Sequence, residues 1–227
     1  MFKKLIEKVK QKQVDHMNEM QDRIKKIGDP LAESVEWSPL KGGGTNFRTH
    51  NLFIDIYRAV YKPSKGAFLF AFVFILFGAG MPGWIIFENM SQGNLLLQAE
   101  NLLVAAFGII FLAVGLFMMK RFTLPISFDK HIGYFWKGRK EPEMYGRNNP
   151  KGSVRLSDIH ALQLVAERVK GDNSTYFSHE INLVKKDGSR VNVIDHGDPK
   201  SIYDDAEKLS QFLDVPVWDL NSISKFT

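Results

Sequence analysis

Two stretches of the chain carry no charge at all, Ala67 to Phe87 and Leu102 to Met119. At a rise of about 1.5 Å per residue the first, 21 residues long, reaches roughly 32 Å, close to the ~30 Å hydrocarbon core of a bilayer. The second has 18 residues, or 25 when Leu95 to Leu97 and the polar Gln98, Glu100 and Asn101 are counted with it. The segment Phe68 to Phe77 is apolar on every helical face, and a chain this small has little protein with which to wrap it. The pattern predicts a two-helix transmembrane hairpin, with spans at about 67–87 and 98–119.

Shorter periods govern the rest. Phe2, Leu5, Ile6 and Val9, then Met17, Met20, Ile24 and Ile27, recur at helical spacing with a change of phase near Gln11 to Gln13, and Gly28-Asp29-Pro30 supplies a stop. An N-terminal amphipathic helix over 1–28 follows. In the linker 29–66, Leu52, Ile54 and Ile56 alternate with Phe53, Asp55 and Tyr57, the signature of a strand running toward the membrane. Residues 120–227 read as strands closed by one helix. Thr123 to Asp129 and Gly133 to Lys137 flank Lys130-His131-Ile132. Glu180 to Val184 and Arg190 to Ile194 flank Lys186-Asp187-Gly188, the strongest hairpin signal in the chain. Ile159 to Val169 has apolar positions that suit a helix, but its place among strands favours a long strand. Pro199 to Leu213 sets Ile202, Ala206, Leu209, Phe212 and Leu213 on one helical face. The expected class is α+β: a transmembrane hairpin followed by a small antiparallel barrel with a C-terminal helix plugging one end.

The order Phe128-Asp129, Arg155-Leu-Ser-Asp-Ile159, Glu180-Ile-Asn-Leu-Val-Lys-Lys-Asp-Gly-Ser-Arg190 and Ala206-Glu-Lys-Leu-Ser-Gln-Phe-Leu-Asp-Val-Pro-Val-Trp218 resembles the bacterial membrane-anchored pleckstrin-homology-like proteins. In these a two-helix membrane hairpin precedes a small cytoplasmic barrel. The resemblance covers the hairpin and the last half of the chain, and implies no assigned chemistry. It has no counterpart for residues 1–66.

Charge orients the hairpin. Between the apolar runs lie Glu88 and Glu100 and no Lys or Arg; outside them lie Arg58, Lys62, Lys65, Lys120 and Arg121. Cations near helix ends are retained on the cytoplasmic side, so both termini are expected in the cytoplasm of a multi-pass protein of the cell (inner) membrane. The absence of cysteine agrees with a body that needs no disulfides. Residues 1–28 hold eight Lys or Arg, among them Lys3, Lys4 and Lys8, against four acids, which supplies +4 of the net +5. This helix suits anionic lipid, a partner's groove, or a second copy. Residues 120–227 are only +2, with 17 basic and 15 acidic residues, which argues against nucleic acid.

Candidate chemistry is sparse. The six histidines, His16, His50, His131, His160, His179 and His196, show no metal-ligand spacing, and no cofactor motif is present. Asp195-His196-Gly197-Asp198 is the best catalytic candidate, a carboxylate beside a base, but it also reads as an ordinary turn and helix cap. Gly42-Gly43-Gly44 lacks the context of a phosphate loop and predicts a turn or a close backbone approach. Gln98 and Glu100 stand at the outer end of the second span, where an ionisable group below the surface would signal a binding or proton role. Ala67 with Ala71, Ala79 with Gly83, and Gly108 with Gly115 offer close helix approach, and Pro82 predicts a kink. Lys137, Arg139, Lys140, Arg147 and Lys151, beside Phe135 and Trp136, form a basic aromatic loop suited to lipid headgroups. The expected function is a membrane-fixed module that binds a protein partner or lipid headgroups. An oligomeric transport or channel subunit using Gln98 and Glu100, and a membrane hydrolase using His196, are the alternatives.

Overall fold

The computed structural model describes residues 2–93, 99–144, 149–170 and 174–220. The elements run α1 (Phe2–Lys26), α2 (Pro30–Ser34), β1 (His50–Ile54), β2 (Arg58–Pro63), α3 (Lys65–Gln92), α4 (Ala99–Phe122), β3 (Ile126–Asp129), β4 (Tyr134–Lys137), β5 (Val154–Arg155), β6 (Ile159–Lys170), β7 (Thr175–Lys185), β8 (Arg190–His196), α5 (Pro199–Leu213) and β9 (Val217–Asp219). Residues 48–153 form one compact unit, and the chain before and after them forms the other.

The unit of residues 48–153 is a meander in the order β1-β2-β3-β4, with the helical hairpin inserted between its two middle strands. The single strand expected near 52–57 is two strands, because Asp55 turns the chain: its Oδ1 accepts the N–H groups of Tyr57 and Arg58. Strand β2 then pairs antiparallel with β3, Arg58 opposite Asp129 and Tyr61 opposite Ile126. Asp129 is buried and ties this sheet together. It binds the Arg58 guanidinium and accepts the N–H groups of His131 and Ile132. Burial pushes its carboxyl up, but the Ile132 N–H, the Arg58 guanidinium and the His131 N–H outweigh that and hold it below the usual carboxylate range.

Helices α3 and α4 are about 42 and 36 Å long at ~1.5 Å per residue, and both are long and apolar enough to cross a membrane. They pack through glycines. A Cβ on Gly78 would overlap the backbone of Leu112 and lie 2.8 Å from Gly108 O; one on Gly108 would lie 2.7 Å from Pro82 Cδ; one on Gly115 would lie 2.8 Å from Ile75 N. The pair Gly108 and Gly115 therefore serves packing within the hairpin, with Phe74 stacked on Phe111 at 5.6 Å. Helix α3 runs continuously through Pro82 and ends on Gly93 in the left-handed conformation, φ 67°.

The other unit is built on a four-stranded sheet in the order β8-β7-β6-β9, three antiparallel neighbours extended by the short parallel strand β9. The long strand expected near 159–169 is β6, and Gly188, φ 79°, turns β7 into β8 at the expected position. Helix α5 packs on β6 and β7 and buries Ile202, Ala206, Leu209 and Phe212. At one end of the sheet Ile24 of α1, Ala32 of α2, Val35, Ala161, Val184 and Trp218 form a core cluster flanked by Met20, Ile27, Leu31 and Trp37. Asp29 caps α2 through the Leu31 N–H and also pairs with His160 Nε2 at 2.7 Å.

The expected barrel does not close: the strands form two open sheets. Two causes are local. Strand β3, expected to join the later strands in one barrel, instead pairs with β2 from the linker, and β4 follows β3 in that same sheet. The order β8-β7-β6-β9 ends on a strand of three residues, and its two edge strands are not paired with each other.

Candidate functional site

The foot of the hairpin, where the sheet of residues 48–153 passes into the two helices, is a buried polar collar. Only Ser64 separates β2 from α3, and only residues 123–125 separate α4 from β3. Ser64 caps α3 by accepting the Ala67 N–H at 3.0 Å and donates its hydroxyl to Arg48 O at 2.7 Å. His50 Nε2 lies 3.0 Å from Phe122 O, a carbonyl that only accepts, so Nε2 carries the proton. Nδ1 lies 3.0 Å from Thr49 Oγ1, within hydrogen-bond reach. Thr123 Oγ1 donates to Met119 O at 2.8 Å and accepts from Arg139 Nη2 at 3.2 Å. Both helix ends are thus held to the strands by side-chain hydrogen bonds.

Away from this foot the hairpin surface is apolar and open. Leu103 is 72% exposed, Phe117 69% and Trp84 67%. An apolar groove of about 490 Å³ runs past Leu76, Gly80, Trp84 and Val104. No Lys or Arg lies between Gly66 and Met119, whereas Lys62, Lys65, Lys120, Arg121, Arg139 and Lys140 are exposed at or beyond the helix ends at the foot.

The residues singled out from sequence fall in different places. Arg139 and Lys140 are exposed and Lys137 is half-buried at the end of β4, and Arg139 reaches the collar through Thr123. Lys8 is exposed on α1; Lys3 and Lys4 belong to the same helix. Glu100 stands in the first turn of α4, whereas Gln98 and Arg147 lie outside the described residues. His196 is fully buried and its Nδ1 accepts the Asp198 N–H, while Asp198 Oδ2 accepts the Ser201 hydroxyl at the start of α5. These are turn and cap roles. Among the described residues no three His, Cys, Asp or Glu side chains gather as a metal site.

A second arrangement was not singled out from sequence. One face of the sheet β8-β7-β6 carries Gln163, Glu167, Ser178, Glu180, Asn182, Arg190, Asn192 and Asp195, and residues 36–46 cross this face as an irregular strap. The sheet's side chains hold the strap by its main chain. Gln163 Nε2 donates to Glu36 O at 3.0 Å and Arg190 Nη1 to Ser38 O at 2.8 Å. Glu180 accepts the Leu40 N–H at 2.9 Å and the Lys41 N–H at 3.5 Å. Both oxygens of Glu167 accept the Gly43 N–H at 3.1 Å, and Tyr176 Oη donates to Gly44 O at 2.8 Å.

Of the three glycines, Gly44 makes a close backbone approach. A Cβ on Gly44 would lie 2.8 Å from Ser178 Cβ and 3.3 Å from Asp195 Oδ2, so no other residue fits there without lifting the strap. Glu180 is 2% exposed. Its burial pushes the carboxyl above the ordinary range, against the Asn192 amide and the two strap N–H groups, with Asp195 adding to the rise. Asn182, 0% exposed, has no hydrogen-bond partner for either amide atom among the described residues, nor has Ser178 Oγ. The missed signal was the polar residue at every second position of β7, Ser178, Glu180 and Asn182, in a strand otherwise rich in apolar residues.

No protein-family model, curated protein or solved structure matches the chain. The pleckstrin-homology-like resemblance therefore rests on sequence motifs alone.

Proposed function

We propose that this chain is an integral membrane protein whose hairpin α3–α4 spans the bilayer and fixes its sheets at the cytoplasmic surface, where a pleckstrin-homology-like module binds a protein partner or anionic lipid headgroups. The observation that carries the reading is the insertion of two lipid-length apolar helices between neighbouring strands of one sheet. Strands β2 and β3 lie side by side, so the helices they feed enter and leave on the same side. The exposed cations at this end of the hairpin, set against Glu88 and Glu100 near the other, favour that side being cytoplasmic. Arg139 and Lys140, exposed beside the collar, are suited to headgroup phosphates. Fixing a module at the surface raises its effective concentration for other membrane components without any new contact.

Alkaline carbonate extraction and a reporter fused after Thr227 test the anchoring. The protein is expected to stay with the membrane pellet and the reporter to be accessible only from the cytoplasmic face; release by carbonate, or an external reporter, overturns it. The lipid role is tested on the full chain, because β3 pairs with β2 and a fragment beginning at residue 120 would lack that strand. Reversing the charge of Lys137, Arg139 and Lys140 together should lower phosphatidylglycerol retention by the detergent-purified protein at least threefold. Unchanged retention removes the lipid role and leaves the anchor standing.

A further inference from the structure

From Ser38 to Gly44 the strap is gripped through its backbone. Six of its main-chain groups, the carbonyls of Glu36, Ser38 and Gly44 and the N–H groups of Leu40, Lys41 and Gly43, are taken by side chains of three strands. Of its side chains, Trp37 packs against the core cluster and Glu36 pairs with Arg190 at 3.4 Å, whereas Leu40, Lys41 and Thr45 are exposed or half-exposed. Recognition of this kind reads main chain more than side chains, apart from the one position where Ser178 admits only glycine. The strap also leaves binding capacity unused, since Asn182 and Ser178 lie on the same face with polar atoms that have no partner among the described residues, and leaving such atoms buried and unpaired is costly. The face sets three carboxylates, Glu167, Glu180 and Asp195, against one guanidinium, Arg190, and so suits a cationic ligand. The strap itself presents Lys41 beside its glycines.

We propose that the polar face of β6-β7-β8 is a peptide-binding site, that residues 36–46 occupy it as an internal stand-in, and that its partner is a glycine-bearing, basic segment of another protein which takes the strap's place. A covalently attached strap competes at an effective concentration on the order of millimolar, which keeps the site closed until a better-matched segment arrives. A segment that also offers a carbonyl and an N–H to Asn182 gains two hydrogen bonds that the strap does not make. The proposal rests on the adaptor reading for the existence of a partner, but its test is done in detergent and reads nothing of membrane topology, so the two fail separately.

The probe is a labelled peptide of residues 36–47, added to the full-length protein in detergent micelles and followed by fluorescence anisotropy. Gly44→Val forces the internal strap off Ser178 and should bind the peptide at least tenfold more tightly than the unaltered chain does. A peptide carrying Val at the Gly44 position should not bind, and one with Lys41→Glu, which brings a fourth carboxylate toward Glu167, Glu180 and Asp195, should bind about threefold more weakly. Equal binding by Gly44→Val and the unaltered protein, or by the valine peptide, overturns the proposal.

A redox pair keeps the test decisive if Gly44→Val does not fold. The chain has no cysteine, and the Cβ positions at 44 and 178 are near enough to bridge after a shift of about 1 Å. In Gly44→Cys with Ser178→Cys, oxidation should lock the strap down and abolish peptide binding, and reduction should restore it. Binding that ignores the redox state sinks the idea. So does a disulfide-linked dimer formed between copies carrying one cysteine each, which would make a second copy of this chain the occupant.

Discussion

The helical hairpin and the strap-covered face each break the usual rule of burial, in opposite directions. On α3 and α4 large apolar side chains such as Leu103, Phe117 and Trp84 face outward. On the sheet β8-β7-β6, Glu180, Asn182, Gln163 and Asn192 are shut away from water. Each inversion makes physical sense once the missing surroundings are supplied. Exposed apolar helices are stable in lipid, where their backbone groups are satisfied within each helix. Buried polar side chains are stable where they meet main chain that would otherwise be unpaired. The hairpin is complementary to a solvent, the polar face to a polypeptide.

The largest effects should come from the hairpin, because its helices meet backbone to backbone. Gly78→Ile would drive a side chain into the backbone of Leu112 and is expected to cost about 3 kcal/mol or more, seen as loss of protease resistance in micelles. Gly80→Ile, at a position with nothing within 4 Å of a Cβ, should leave that resistance unchanged. If the two variants behave alike, the packing of α3 on α4 is not the one described.

A smaller effect is expected at the collar, where the hairpin meets its sheet. Ser64→Ala removes both the cap of α3 and the donor to Arg48 O, and should cost about 1–2 kcal/mol in thermal unfolding. Ser64→Asp keeps an acceptor for the Ala67 N–H but offers no donor to Arg48 O, so it should recover part of that loss. Full recovery would mean that the link to Arg48 contributes nothing, and that the hairpin is capped but not clamped to its sheet.

Elements with strong local signals were legible in the sequence. Two uncharged runs gave the hairpin helices, Lys186-Asp187-Gly188 the turn between β7 and β8, and the face of Ile202, Ala206, Leu209 and Phe212 the helix α5. Pairing between distant segments was not legible. Nothing local states that Tyr61 stands opposite Ile126 across 64 intervening residues of helix and loop, and this pairing is what removed β3 and β4 from the expected barrel. The candidate sites divide the same way. Arg139 and Lys140 stood out because cations beside aromatic residues form a compositional signal. The strap did not, since Glu36 to Asn46 reads as a loop until the side chains of Glu167, Tyr176 and Glu180 are brought over it by the sheet register. Only Gly44 left a trace, as the last of three glycines.

The smallest effect sharpens the polar side of the comparison. The Glu180 carboxyl is pushed up by its burial, so the folded state holds its proton to a higher pH than the unfolded chain does. For a raised carboxyl the associated stability is fully present below the unfolded value, near 4.5, and is lost as pH rises through the folded one. Unaltered protein should therefore gain stability relative to Glu180→Gln, which does not titrate, as pH falls from neutral toward that value. Paired melting curves across this window measure the gain. A flat difference would mean that Glu180 reaches water, and that the strap does not seal the face beneath it.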